Sequence, residues 1–445
     1  MIKDKKLINY FFEVIFIFTI FILIFARSFV GIYIFGFRIG EYLVVASLVL
    51  TILAIVAYLF NQDIFGKLIK VVRVHFLLVL SFIAIMFLTN SSFVSTYTYK
   101  SSSYIWTLAF IYFGYFVFKY YELKLLHLNI LIFVAIIVYF NAVTRNTQIP
   151  DLIVNFFNNY SDKFERHKGS DLLMVFVITT FFSLKKLPYK RLTIDIFILL
   201  SALYLPLIMW KSKGATIGFI AYVVIQLVKN KKYFNNLLYR NIILAVLFGV
   251  LFFLSSIGIS SYTNFDVPSD EAVNVVVSKK FSNNKWLLLY IEDGRLFSYD
   301  ANANWRLQIW QDVIKDSLGN DLNGGPQGYK FPVDQEHNKT YLYGLGYKEI
   351  IPAMSTPNRM GWDGKNENVH NFLVQNYARG GLVHLSLFVY LFWLFLYKYN
   401  NKDRNVLIYV LPFFITSLFD ASMENAHFPI IFYFFLGGLF SKSFD

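Results

Sequence analysis

The sequence predicts an all-α, polytopic integral membrane protein with about twelve transmembrane helices and one large, partly helical extracytoplasmic loop. Three observations predict it. Of 445 residues, 57% are hydrophobic and only 16% charged, where a soluble chain carries about 25% charged residues. The apolar residues fall in runs of membrane-spanning length. The cations gather in short segments between those runs, as topology signals do.

Taken in order, the runs are 8–25, 40–60, 74–90, 103–119, 125–142, 170–184, 191–209, 214–228, 241–260, 382–397, 405–419 and 426–441. The first follows the basic stretch MIKDKK, as in a signal peptide. No small-residue cleavage site follows it and further spans do, so it reads as an uncleaved first helix. Twelve spans put both termini on one side. With that side cytoplasmic, the inner connections carry twenty Lys and Arg and the short outer ones nine, the bias expected of inward-facing segments. Residues 261–381 break the rhythm. They are polar, hold 12 Lys/Arg and 14 Asp/Glu, and fall outside by the alternation. A connection this long is usually functional, and its core is expected to be small and helical. The chain thus divides into 1–260 with nine spans, the loop 261–381, and 382–445 with three spans.

Composition also excludes. There is no cysteine, hence no disulfide framework, thiol nucleophile or thiolate-bound metal. The net charge of +13 is spread over topology signals and builds no basic groove, so nucleic acid is not a partner. No Asp-x-Asp pair, His-Glu-x-x-His or Gly-rich phosphate loop gives metal-dependent or nucleotide-driven chemistry a handle, and no cofactor is expected.

Three constellations carry candidate chemistry. In Asn304-Trp305-Arg306-Leu307-Gln308-Ile309-Trp310, the residues Trp305, Ile309, Trp310, Val313, Ile314 and Leu318 have helical spacing. Asn304 is the expected N-cap. Arg306 then falls in the first turn, where free amides and a guanidinium together suit a phosphate. An amphipathic surface helix with a snorkelling arginine fits the same pattern. In Asn368-Val369-His370-Asn371-Phe372-Leu373-Val374-Gln375, His370 lies just outside a span, where an imidazole can act as general base near neutral pH. Asn371 and Gln375 offer hydrogen bonds to sugar hydroxyls; polar residues at a helix entry are the plain alternative. In Lys211-Ser212-Lys213-Gly214, two lysines at the outer end of a span oppose the charge bias. They suit an anionic head group, or simply snorkel. Gly344-Leu345-Gly346-Tyr347 offers close backbone approach or a turn. Arg295, Arg359 and Arg379 are further cations of the loop, most of them expected to be solvated. Arg38 and Glu41 flank the second span and are expected to pair. His75 and His127 lie near cytoplasmic span ends and read as structural.

Together these pieces resemble the O-antigen polymerase and O-antigen ligase superfamily. The resemblance rests on order. Ser212-Lys213-Gly214 is similar to the family's Ser-Arg-Gly-like turn. Arg306-x-x-x-Trp310, Gly344-Leu345-Gly346 and His370-Asn371 before Gly380-Gly381 follow within one large loop. Phe37-Arg38-Ile39-Gly40-Glu41 is similar to stretches in these polymerases. The motifs cover roughly residues 205–400. Lys213 departs from the usual arginine and supplies a point charge instead of a fork. The segment from Trp310 to Gly344 is longer than in the family.

The resemblance implies a metal-independent membrane glycosyltransferase of the GT-C-like class in a bacterial inner membrane, with its loop periplasmic. The implied substrate is an undecaprenyl-diphosphate-linked oligosaccharide. His370 and Arg306 would be catalytic. Lys213, Lys211, Trp310, Asn371, Gln375, Arg379 and Arg359 would bind substrate. Membrane lipids surround such a protein, and a polysaccharide chain-length regulator is a partner it admits. Polymerase is preferred over ligase on the AT-rich composition and the loose motif match. A lipid-linked oligosaccharide flippase is the reading of another class, but it should line several spans with charge, whereas the polar mass here sits in one loop.

Overall fold

The computed structural model describes residues 2–143, 151–162, 164–234, 238–260, 289–292, 294–298, 301–319, 339–347, 351–354, 359, 368–399, 404–424 and 426–441. Of the described residues, 80% are helical. Beyond helices, the described residues contain two short antiparallel hairpins, Tyr33–Ile34 with Phe37–Arg38 and Leu289–Glu292 with Arg295–Ser298.

Each of the twelve apolar runs is helical. Among the described residues, seven helices are long and apolar enough to cross a membrane: Tyr10–Val30, Ile39–Phe60, Gln62–Leu88, Leu125–Val143, Lys190–Lys211, Leu238–Ile259 and Phe372–Lys398. At 1.5 Å per residue, twenty residues cover the ~30 Å of a hydrocarbon core. The other runs depart from that form for visible reasons. Run 103–119 is broken into Ser103–Trp106, a 3₁₀ turn Thr107–Ala109, and Phe110–Tyr120. Gly169–Lys186 carries Asp171, Lys185 and Lys186, and Lys213–Lys229 has 17 residues. Asn405–Ser417 and His427–Leu439 have 13 each.

Two compact units divide the chain. The first comprises Met1–Phe76, Ser102–Tyr262 and Leu391–Asp445, the second Leu77–Ser101 and Thr263–Tyr390. In the first, every residue from Gly169 to Ser183 is buried, and so is all of His427–Leu439. His427 Nε2 bonds Asp171 Oδ1 at 2.9 Å. Asp171 Oδ2 accepts the Lys168 amide at 3.1 Å. Helices Ile39–Phe60 and Leu238–Ser260 instead present most of their apolar side chains outward, as a lipid-facing helix does. Arg38 and Glu41 pair as expected, at 2.8 Å. His127 is structural too: its Nδ1 accepts the Lys124 amide at 3.0 Å, so its Nε2 carries the proton toward Glu13, also at 3.0 Å.

In the second unit the core is Ile309, Val313, Ile351, Ala353, Met354, Val369 and Ala378, with Trp305, Trp310 and Leu345 packed against it. The expected helix in the loop is present as Ala301–Ser317. Much of the loop, including 320–338 within the long stretch between Trp310 and Gly344, lies outside the described residues.

Candidate functional site

The site is built on the helix Ala301–Ser317. Its start corrects two expectations. Because the helix begins at Ala301, Asn304 is not its N-cap, and Arg306 lies beyond the first turn, away from the free amides. Asn304 Oδ1 instead accepts the Ser298 amide at 3.1 Å and Gln308 Nε2 at 3.2 Å. The side chains of Gln308 and Gln311 bond the backbone of Leu296, which zips the helix to the hairpin and extends its start.

The buried face of this helix is also more polar than its spacing suggests. Ile314 and Leu318 are exposed, whereas Gln308, Asp312 and Asp316 are buried. Asp312 earns its place between two buried guanidinium groups. Its Oδ1 accepts from Arg295 at 2.7 Å and its Oδ2 from Arg359 at 2.8 Å. Arg295 also donates to Gln308 Oε1 at 3.0 Å, and Arg359 to the Ala353 carbonyl at 2.7 Å. A buried charge is tolerated when it is paired and hydrogen-bonded this way. Sequence reasoning missed Asp312. The available signal was an acid at helical register with Ile309 and Val313.

The His370 segment is clamped from both sides. The Trp310 indole donates to the Val369 carbonyl at 2.7 Å. The Val369 amide meets Gln375 Oε1 at 3.4 Å. Asn371 Oδ1 accepts the amides of Leu373 and Val374 at 3.0 and 3.1 Å, the action of an N-cap on the helix Phe372–Trp393. Between these anchors His370 adopts φ +55°, a left-handed backbone that costs a non-glycine residue about 1–2 kcal/mol. Its ring meets Trp305 edge-on, centroids 5.2 Å apart. Trp305 immediately precedes Arg306, which is half-buried with its Nε enclosed. Trp310→Phe keeps the packing and strands the Val369 carbonyl. It is expected to cost about 1–3 kcal/mol, read as a lower unfolding temperature in detergent.

The glycine motifs meet each other. The Leu345 amide donates to the Ala378 carbonyl at 2.7 Å and Gly346 to Arg379 at 3.1 Å. Leu382 donates to Tyr341 at 2.8 Å. At Gly381 (φ +60°, ψ −159°) the helix is interrupted, and a Cβ on Gly344 would stand 2.6 Å from the backbone of Arg379, Gly380 and Gly381. The close approach read from Gly344-x-Gly346 is thus made to a broken helix. Arg379, fully buried, donates to the Gly346 carbonyl at 3.2 Å and to Tyr97 Oη at 3.0 Å. Arg295, Arg359 and Arg379 are thus all buried rather than solvated as expected, because each finds hydrogen-bond partners inside. Tyr347 Oη, at the end of the glycine motif, lies 3.0 Å from Nδ1 of His384, a buried group that sequence reasoning did not single out.

Lys211 and Lys213 belong to the other unit. They flank Ser212, the single residue between the helices Lys190–Lys211 and Lys213–Lys229, and Ser212 Oγ caps the second by accepting the Ala215 amide at 3.3 Å. Lys211 lies over the Trp210 ring at 4.4 Å. Gly169 packs against Ser212, which brings the segment before it alongside. There His167 donates through Nε2 to the Leu23 carbonyl at 2.9 Å, and burial pushes its imidazole below the ordinary value.

The motifs of the second unit therefore converge: one helix carries Arg306, one strained turn carries His370, and Trp305 and Trp310 join them. Such an arrangement can place a cation and a proton acceptor near one another. Compared with protein-family models, curated proteins and solved structures, the chain matches none significantly.

Proposed function

We propose that this protein is an O-antigen-type polysaccharide polymerase of a bacterial inner membrane, with twelve spans, both termini cytoplasmic and the large loop periplasmic. It joins undecaprenyl-diphosphate-linked repeats. The leaving group is a lipid diphosphate, whose growing negative charge calls for cations. Arg306 is the candidate for that role; Lys213 and Lys211, in the other unit, are proposed separately as binding an anionic head group. His370 takes the proton of the acceptor hydroxyl, and direct displacement inverts the anomeric centre. Trp310, Gln375 and Asn371 serve mainly by holding the backbone around His370, Arg379 by holding the Gly344-x-Gly346 turn, and Arg359 by holding the helix of Arg306.

The observation that supports this reading is the strain at His370. A left-handed backbone is kept at a residue with a titratable side chain, between two anchored neighbours and against the residue preceding Arg306. Strain of this kind collects at functional sites.

The test uses a deletion strain carrying wild type, His370→Ala, His370→Gly or Arg306→Ala, with surface polysaccharide resolved on a gel. The expected result is a ladder restored by wild type alone, each variant being present at normal level. His370→Gly relieves the backbone and is expected to be as stable as wild type, so its inactivity would report the lost imidazole. Core plus one repeat in the deletion strain identifies a polymerase, and core without repeats a ligase. An intact ladder in the His370 variants sinks the assignment.

A further inference from the structure

The hairpin Tyr33–Arg38 and the helix Asp151–Tyr160 belong to neither a candidate span nor the site above. They are joined to each other. Ile32 bridges Ser161, the Asp162 amide donates to the Gly31 carbonyl at 3.0 Å, and Arg38 reaches Asp162 at 3.4 Å. Both expose large apolar side chains: Tyr33, Ile34, Phe35 and Phe37 on the hairpin, and Leu152, Phe156 and Tyr160 on the helix. Phe35 is 95% and Leu152 81% exposed.

We propose that these two elements form a ledge that seats in the lipid–water boundary, an interfacial anchor beside the ends of the first two spans. The proposal rests on the reading of the apolar helices as membrane spans and is independent of the chemistry assigned to His370.

Three observations choose lipid as the occupant. The first is continuity. Arg38 runs directly into Ile39, the first residue of an outward-facing apolar helix. Tyr42 of that helix donates to the Ile34 carbonyl at 2.9 Å and its ring meets Phe37 at 6.1 Å. The exposed apolar surface of Tyr42, Val45 and Val49 thus passes onto the hairpin without a polar break.

The second is the turn. Phe35 (φ +50°) and Gly36 (φ +84°) form the two-residue connection, whose positive φ angles favour Asn or Asp before Gly. A phenyl ring held outward in that strained position is unfavourable in water and suited to the acyl side of the interface.

The third is the division of the helix. Leu152, Phe156 and Tyr160 lie on one flank. Asn155, Asn158 and Asn159 lie on another, and buried Phe157 docks against Phe25 with centroids 5.0 Å apart. A helix docked by one flank, with an apolar flank and a polar flank both open, is built to lie in an interface. Arg38 is shared between Glu41 and Asp162, so the ledge asks for no anionic lipid.

The chain has no cysteine, so single nitroxide labels can be placed through Phe35→Cys, Leu152→Cys, Phe156→Cys, Asn155→Cys and Asn158→Cys, with Val49→Cys as the span reference. The full chain in phosphatidylcholine vesicles is then examined by power saturation with oxygen and with a water-soluble nickel chelate. Labels at 35, 152 and 156 should be relaxed several-fold more by oxygen than by nickel, with the opposite order at 155 and 158. Adding phosphatidylglycerol should change neither. Nickel dominance at 35 and 152, with oxygen dominance at 49, would put the ledge in water and overturn the proposal. Exclusion of both reagents at 35 and 152 would mean a protein cover, such as a second copy, and overturn it equally. Nickel dominance at 49 would remove the membrane reading, and the ledge with it.

Discussion

Gly381→Ala is expected to leave little folded protein after detergent extraction. Its φ of +60° with ψ of −159° lies in a region that is essentially glycine's alone and costs other residues about 1–3 kcal/mol. A Cβ there would also overlap the backbone of Leu342 and Tyr343, and backbone atoms paired to Leu382 and Val383 cannot swing aside. The sum should exceed about 4 kcal/mol, in the exceptional range for one substitution. Gly294→Ala is the control. It too has positive φ, at +72°, but a Cβ there meets nothing within 4 Å, so its cost is the left-handed penalty of about 1–2 kcal/mol. Gel filtration of the extracted proteins, followed by thermal unfolding, compares the two. Equal melting of both variants would show that the crossing of the glycine motifs is not a tight one.

Asp312→Ala should be nearly as damaging. It removes the carboxylate that Arg295 and Arg359 both hydrogen-bond and withdraws the negative charge from between two buried guanidinium groups. Breaking a buried pair by deleting one partner costs about 3–5 kcal/mol. Replacing the whole triad is a different matter. Arg295→Met with Arg359→Met and Asp312→Leu should fall within about 1–2 kcal/mol of wild type, because removing a buried ionic group entirely is often near neutral. Chemical unfolding of the three proteins, wild type included, measures both. A triple variant as unstable as Asp312→Ala would mean that packing volume, rather than charge, holds this helix.

How much of this was legible in the sequence follows the range of the interactions involved. The helical runs were, because a membrane-length stretch such as 40–60 declares itself by composition alone. The pairing of Arg38 with Glu41 was, because it spans three residues. Asn371 as a polar residue at a helix entry was visible, and its capping role follows from position. Asn304 misled because a cap is recognised by what precedes a helix, and here a hairpin 6 to 15 residues away in sequence supplies the bonds that lengthen it. Asp312 stayed hidden because its meaning depends on Arg359, 47 residues on. The glycines were seen as permissive, but their partner was another glycine turn rather than a ligand, and no local pattern carries that information.

The helix Gly169–Lys186 has a consequence for how the protein is made. It carries Asp171 near its start, yet the imidazole that bonds that carboxylate, His427, is 256 residues further along. Throughout that interval a helix that ends with every residue from Gly169 to Ser183 buried has the local Lys168 amide for this acid but not its distant imidazole partner. The nascent chain therefore passes through a stage in which this carboxylate is only half partnered, and the arrival of His427–Leu439 ends it.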